Sequence, residues 1–171
     1  MQPGKRKNII LTGFMGTGKS TVGTLLAEQL GYKFVDTDQF IEKMEGMSVT
    51  DIFQKRGETA FRALERLVAK ELGEKNSLVI ATGGGLMLDH ENAESLGGRG
   101  KVFCLVASPD EILKRISADD DRPLLQVKNP GERISELLQK RQKGYGRFTQ
   151  IITTGKTVLQ VVDELLDTLQ N

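Results

Sequence analysis

Apolar residues fall along this chain in two alternating rhythms, and each rhythm predicts an element. Asn8-Ile9-Ile10-Leu11 is a short apolar run of the kind that forms a buried strand. Over 21–30, Val22, Leu25, Leu26 and Leu30 recur at helical spacing. Further strands are expected at Lys33-Phe34-Val35, at 78–82 and at 101–106, with 150–153 as a fifth. Three of these run straight into loops: Asp36-Thr37-Asp38, Gly83-Gly84-Gly85 and Ser108-Pro109. Ser48 with Asp51 and Ser108 with Glu111 have the spacing of capping boxes, and Pro109 takes the favoured first helical position. Val158, Val161, Val162, Leu165 and Leu169 share one face of a last helix. Alternation of this sort builds a three-layer α/β/α fold around a central parallel sheet of about five strands, with ligands at the strands' carboxyl ends. No repeat, linker or low-complexity segment interrupts it, so the 171 residues are expected to form a single domain.

The first loop carries the chemistry that names the ligand. Gly13-Phe14-Met15-Gly16-Thr17-Gly18-Lys19-Ser20 fits G-x-x-x-x-G-K-[ST] between a strand and a helix, the P-loop arrangement. A polyphosphate is dense negative charge, and a ring of backbone N–H groups at a helix N-terminus holds it. Glycines at 13, 16 and 18 let the chain curl close to the phosphates, with Thr17 and Thr21 beside them. Lys19 adds a positive charge toward the β- and γ-phosphates, and the Ser20 hydroxyl is placed to ligate Mg²⁺. A nucleoside triphosphate is the expected ligand.

Other loops on the same edge narrow the chemistry. Asp36 and Asp38 lie two apart where a strand ends and share a face if the chain stays extended. One can hold a metal-bound water while the other orients an acceptor hydroxyl or accepts its proton. Arg62 and Glu65 are three apart on a helix. Spacing alone leaves two readings, a surface salt bridge or a glutamate that orients an arginine toward a substrate carboxylate. Three consecutive glycines, 83–85, point to close approach of backbone to ligand. Arg115, Arg122 and Arg141 complete the candidates, with Arg122 in a polar stretch that has the makings of a lid.

Composition excludes several classes. The 24 basic and 23 acidic residues nearly cancel, which gives no electrostatic case for nucleic-acid or membrane binding. No run approaches a membrane span and the N-terminus lacks a signal-peptide core, so a cytoplasmic enzyme is expected. Cys104, the one cysteine, lies in an apolar run and reads as a buried structural thiol. His90, the one histidine, sits in a polar stretch with no second His or Cys nearby, which argues against a zinc site or a His-dependent triad.

The series G-F-M-G-T-G-K-S-T, D-T-D, F-R-A-L-E, A-T-G-G-G, R-P-L-L and R-x-x-x-Y resembles the shikimate kinase family over residues 9–145. That resemblance implies transfer of the ATP γ-phosphate to the 3-hydroxyl of shikimate, on the way to chorismate and the aromatic amino acids. It implies Mg²⁺ as cofactor, ATP and shikimate as partners, a monomer, a substrate-binding subdomain at 37–65 and a lid at 117–129. By position, Lys19 and Ser20 match the nucleotide and metal residues, with Asp36 as an outer metal ligand. Asp38 matches the carboxylate on the shikimate hydroxyls, and Arg62 and Arg141 match the two arginines on its carboxylate. Glu65 supports Arg62, and Gly83, Gly84 and Gly85 lie where the ring hydroxyls bind. Arg122 matches the lid arginine, Arg115 the arginine stacked on adenine, and Lys156 falls in the adenine-side loop. Phe53 and Phe61 match apolar residues around the substrate ring. The chain departs from the family pattern at Arg147, where many relatives have an acid, at Thr149, where alanine is frequent, and at Gly155-Lys156-Thr157-Val158, which lacks a common Ser-Pro. The alternatives are a kinase for another small hydroxy acid such as gluconate, and a nucleotide-binding regulator without catalysis.

Overall fold

Five parallel strands form one sheet: β1 (Asn8–Gly13), β2 (Lys33–Asp36), β3 (Leu78–Ala81), β4 (Gly100–Val106) and β5 (Thr149–Ile152), in the order β2-β3-β1-β4-β5. This computed structural model describes residues 6–118 and 127–171. β1 is central, pairing Ile10 with Ile80 of β3 on one side and with Val102 of β4 on the other. Its loop therefore opens at the middle of the carboxyl edge, flanked by the loops that leave β3 and β4. That is where a parallel sheet binds ligands.

Seven helices cover the sheet among the described residues: α1 (Lys19–Leu30), α2 (Thr37–Glu45), α3 (Val49–Gly73), α4 (His90–Gly97), α5 (Pro109–Ile116), α6 (Pro130–Tyr145) and α7 (Val158–Gln170). Alternate residues of β1 feed two cores. Ile9 and Leu11 pack with α1 and α7 through Leu26, Val161 and Leu165, while Ile10 packs with α3 and α4 through Val68, Leu72 and Leu96. Burial on both faces explains why the strands read as continuous apolar runs. A third cluster under α5 and α6 joins Phe14 to Ile112, Ile134 and Tyr145, and so ties the first loop to the helix that carries Arg141. Cys104 belongs to it, and burial pushes its thiol up to about 11, as befits a structural cysteine.

Several expectations need correcting. β2 ends at Asp36, which becomes the N-cap of α2 by accepting from Gln39 N at 3.1 Å. Asp38 therefore sits in a first helical turn, not at an alternate strand position. Helix propagation from a good cap wins over extension of a strand only four residues long. The boxes expected at Ser48 and Ser108 are made from the serine side, with Asp51 N and Glu111 N as donors. Asp51 is a methylene shorter than the usual glutamate, and Glu111 is engaged by Arg115. Both arms of a box close at α7 instead, between Thr157 and Gln160. Within α3, Gly57 (φ 83°, ψ 172°) breaks the helical path. Most of the expected lid, and Arg122 with it, lies outside the described residues.

Gly13 has the least room of the loop glycines. Its φ is 135°, and a Cβ there would stand 2.4 Å from the Leu105 carbonyl oxygen of β4. Gly13→Ala is expected to cost about 3 kcal/mol of stability, read from the denaturant midpoint. An unchanged midpoint would mean that the loop and β4 can part without penalty.

Candidate active site

The loop 14–18 delivers α1 to the carboxyl edge with an open N-terminus. Gly18 caps the helix in the left-handed region (φ 98°) with no side-chain hydrogen bond, so the first-turn N–H groups stay available. Thr17 Oγ1 donates to Phe14 O at 2.7 Å and pins the loop from inside. Lys19 Nζ donates to Gly13 O (2.7 Å) and Phe14 O (2.9 Å), which holds its charge over the cradle. The loop is one wall of a 680 Å³ cleft whose other walls include Asp36, Asp38, Gly83 and Gly84.

Ser20 Oγ donates to Asp36 Oδ2 at 3.0 Å, bringing a hydroxyl and a carboxylate together at the cleft. These are hard oxygen donors of the kind Mg²⁺ takes, alongside phosphate and water. Among the described residues no group of three or more His, Cys, Asp or Glu is placed to hold a metal.

Asp38 lies deeper. Burial, and after it the charge of Asp36, pushes its carboxyl up to about 6 against the pull of Lys19. Its Oδ1 is buried and has no hydrogen-bond partner, a costly state that a substrate hydroxyl would relieve.

The three glycines after β3 explain why residues so far apart in sequence meet. A Cβ on Gly83 would stand 2.6 Å from Asp38 Oδ1, one on Gly84 3.0 Å from Arg141 Nη1, and one on Gly85 2.9 Å from Arg62 Nη1. Each glycine thus admits one functional side chain. Gly83 N donates to Thr37 Oγ1 at 2.9 Å, which locks the glycine loop to the start of α2. The D-T-D string flagged Thr37 only as the residue between two acids. Its partner is 46 positions away and left no local signal.

Arg62 donates through Nη1 to Glu65 Oε1 at 2.5 Å, and Glu65 is only 1% exposed. The pair is therefore not a surface salt bridge. Burial pushes the Glu65 carboxyl up, opposed by Arg62. A signal for this existed in the sequence, because Phe61, Glu65, Val68 and Leu72 form one helical stripe and place the glutamate among core residues. Arg62 also lies 5.5 Å from the Phe61 ring centre. Phe61 is itself buried at 4% exposure, whereas Phe53, whose ring centre is 4.7 Å away, is one-third exposed.

Arg141 reaches the same place from α6. It lies 5.4 Å from the centre of the Phe14 ring and donates to Tyr145 Oη at 3.4 Å. Tyr145 Oη in turn donates to Gly84 O at 2.6 Å. On the far side of the loop, Arg115 donates to Glu111 Oε1, Gly16 O, Thr153 Oγ1 and Thr153 O. These bonds lie in the guanidinium plane, so its flat face is what it can offer a base. Lys156 pairs with Glu164 at 2.5 Å and, with Arg115, Thr21 and Thr157, lines a neighbouring 350 Å³ cavity.

Comparison with known proteins gives a consistent result. The family profile described as shikimate kinase matches residues 15–170. The chain is 48% identical over 161 residues to a shikimate kinase of Thermodesulfovibrio yellowstonii, covering 94% of this chain and 93% of that one. Among solved structures, a shikimate kinase from Acinetobacter baumannii in complex with shikimate superposes with a TM-score of 0.90 at 39% identity, covering 96% of this chain and 93% of that one. A gluconokinase from Sinorhizobium meliloti, at 20% identity and a TM-score of 0.58 over 96% of this chain and 91% of its own, shares the fold alone.

Proposed function

The chain belongs to the shikimate kinase family and transfers a phosphoryl group from ATP to shikimate, and from that premise we propose which residues carry the reaction. The carrying observation is the row of three glycines, each facing one of Asp38, Arg141 and Arg62. One carboxylate beside two guanidinium groups is the complement of a small ring that bears hydroxyls and one carboxylate.

The backbone amides of residues 16–21, from the loop into the first turn of α1, and the Lys19 side chain hold the triphosphate. Ser20, with Asp36 through a water, is where Mg²⁺ would sit, and there it would neutralise charge on the β- and γ-phosphates. Arg115 and Lys156 bound the adenine side. Arg62 and Arg141 grip the shikimate carboxylate from two elements, while Glu65 keeps Arg62 in one rotamer. The Gly83, Gly84 and Gly85 backbone lies along the ring, with Phe53 at its apolar flank and Phe61 beneath. Asp38 accepts a hydrogen bond from the 3-hydroxyl and takes its proton as the oxygen attacks the γ-phosphorus. The bond between the γ-phosphorus and the β–γ bridging oxygen breaks as the new one forms, and the products are shikimate 3-phosphate and ADP. Arg122, on the segment 117–129, is assigned by family position to the charge on the transferring group. Phosphoryl transfer asks for positioning and charge neutralisation more than covalent chemistry, which accords with the lack of any Ser-His or Cys-His pair in this cleft.

The enzyme is taken to act as a cytoplasmic monomer, independent of nucleic acid and membranes. Its near-balanced charge gives no electrostatic case for nucleic-acid or membrane binding, and among the described residues no helix is long and apolar enough to cross a membrane. A coupled ADP-release assay tests the whole reading, with shikimate, gluconate, quinate and no acceptor compared. Shikimate-dependent turnover that EDTA abolishes and excess Mg²⁺ restores is the expected result. Turnover with gluconate alone would move the assignment to a different hydroxy acid. Acceptor-independent background would leave nucleotide binding without transfer.

A further inference from the structure

Arg147 makes none of the contacts assigned to substrate, yet it joins the end of α6, which carries Arg141, to the turn that follows the three glycines. It lies two residues beyond Tyr145, just past the end of α6, and its guanidinium reaches back to the segment that follows the three glycines. Nη2 donates to Met87 O at 3.0 Å and Nε to Gly144 O at 3.2 Å. Nη1 lies 3.0 Å from His90 Nδ1. A guanidinium has no acceptor, so His90 must accept through Nδ1 and carry its ring proton on Nε2.

Met87 belongs to a 3-10 turn, Leu86–Leu88, tied to the glycines by Leu86 N to Gly83 O (3.1 Å) and Leu88 N to Gly85 O (3.2 Å). His90 opens α4 just beyond it. Two other contacts run between the same partners. Tyr145 Oη donates to Gly84 O, and Gly144 packs so closely that a Cβ there would lie 2.5 Å from Leu88 Cδ2. Tyr145 is thus bonded to the glycine loop, Gly144 packs on the turn that follows it, and Arg147 fastens the chain where α6 ends.

We propose that Arg147 is a positioning residue for shikimate, clamping the end of α6 to the turn after residues 83–85 and so setting the distance between Arg141 and Arg62. The inference rests on the assignment of those two arginines to the shikimate carboxylate. They come from α6 and α3, which meet at the glycine loop, and a carboxylate gripped from both sides is sensitive to displacements well below 1 Å. The hydrogen-bond partners of Arg147 (Met87, Gly144 and His90) do not line the nucleotide cleft, so its loss should weigh on the acceptor half more than on the nucleotide half.

The experiment measures both Michaelis constants, kcat and thermal midpoint for the wild type, Arg147→Ala, Arg147→Lys and His90→Phe, with amide exchange at Leu86 and Leu88. Arg147→Ala is expected to raise KM for shikimate roughly five- to tenfold while KM for MgATP stays within about twofold. Exchange at Leu86 and Leu88 should accelerate. Arg147→Lys should recover part of the loss, because an ammonium can reach Met87 O but cannot span to His90 as well. His90→Phe, which removes one acceptor only, should give a smaller rise. An unchanged shikimate KM in Arg147→Ala with an active wild type overturns the clamp alone. A rise of both KM values in step with a falling midpoint overturns it too, because that is the behaviour of a general structural contact. A wild type inactive on shikimate overturns the functional assignment, and this role with it.

Discussion

Asp38→Asn is expected to lower kcat by roughly 10³-fold, with shikimate KM changed only a few-fold, because an amide keeps the shape of the carboxylate and loses its basicity. The position of Asp38 makes the prediction sharp. It sits in the first turn of α2 over Gly83, with Oδ1 buried and unpartnered, and burial followed by Asp36 holds its carboxyl near 6. Turnover should fall as pH drops through about 6, since the protonated acid cannot accept a proton. Stability moves the other way. The folded carboxyl binds its proton more tightly than the unfolded one, whose ordinary value is 3.8. Folding stability contributed by this group is therefore full below about 4 and is lost as pH rises toward 6. At pH 7.5 Asp38→Asn should gain on the order of 1–2 kcal/mol, discounted for the group's partial exposure, and the gain should vanish near pH 3.5. A variant that is slower yet more stable is the signature of a site residue. Full kcat in Asp38→Asn would exclude the base role and leave only orientation of the hydroxyl.

Arg62→Ala should raise shikimate KM by about a hundredfold while KM for MgATP changes less than about twofold. Arg62 is held ready by Glu65, which is buried and gives up solvation to hold the fork in one rotamer. Removing the arginine also leaves that glutamate unpaired, so a loss of stability accompanies the loss of affinity. Arg62→Lys separates the two effects. It keeps a positive charge near Glu65 and restores stability, but an ammonium cannot make the two-point contact, and shikimate KM should stay high. An unchanged shikimate KM in Arg62→Ala would remove Arg62 from the site, whatever happened to stability.

Much of the nucleotide half is legible in the amino-acid sequence. Gly13, Gly16 and Gly18 all adopt positive φ, Lys19 opens α1, and the strand before them is buried along its whole length. Those features are local, and a motif that encodes backbone conformation over eight residues carries its geometry with it. The acceptor half is legible as a set of residue types and not as an arrangement. Asp36 and Asp38 do face one cleft, but through a helical first turn, because the Asp36 cap ends the strand that the alternation argument relies on. Arg62 and Glu65 are three apart whether they lie on the surface or in the core, and spacing cannot choose. The apolar stripe through Phe61, Val68 and Leu72 holds the answer, though reading it means accepting an acid at a core position.

The sequence by itself determined the parallel sheet, the phosphate cradle and the catalogue of charged residues around it, since periodicity and glycine conformation act within a few residues. Only the tertiary structure decided that Gly83, Gly84 and Gly85 each receive one side chain, from α2, α6 and α3 respectively. Those meetings join residues far apart in the chain, as between Gly84 and the Arg141 that a Cβ there would strike. They are set by how three helices pack against one strand end, a property of the assembled core that no local stretch of chain contains.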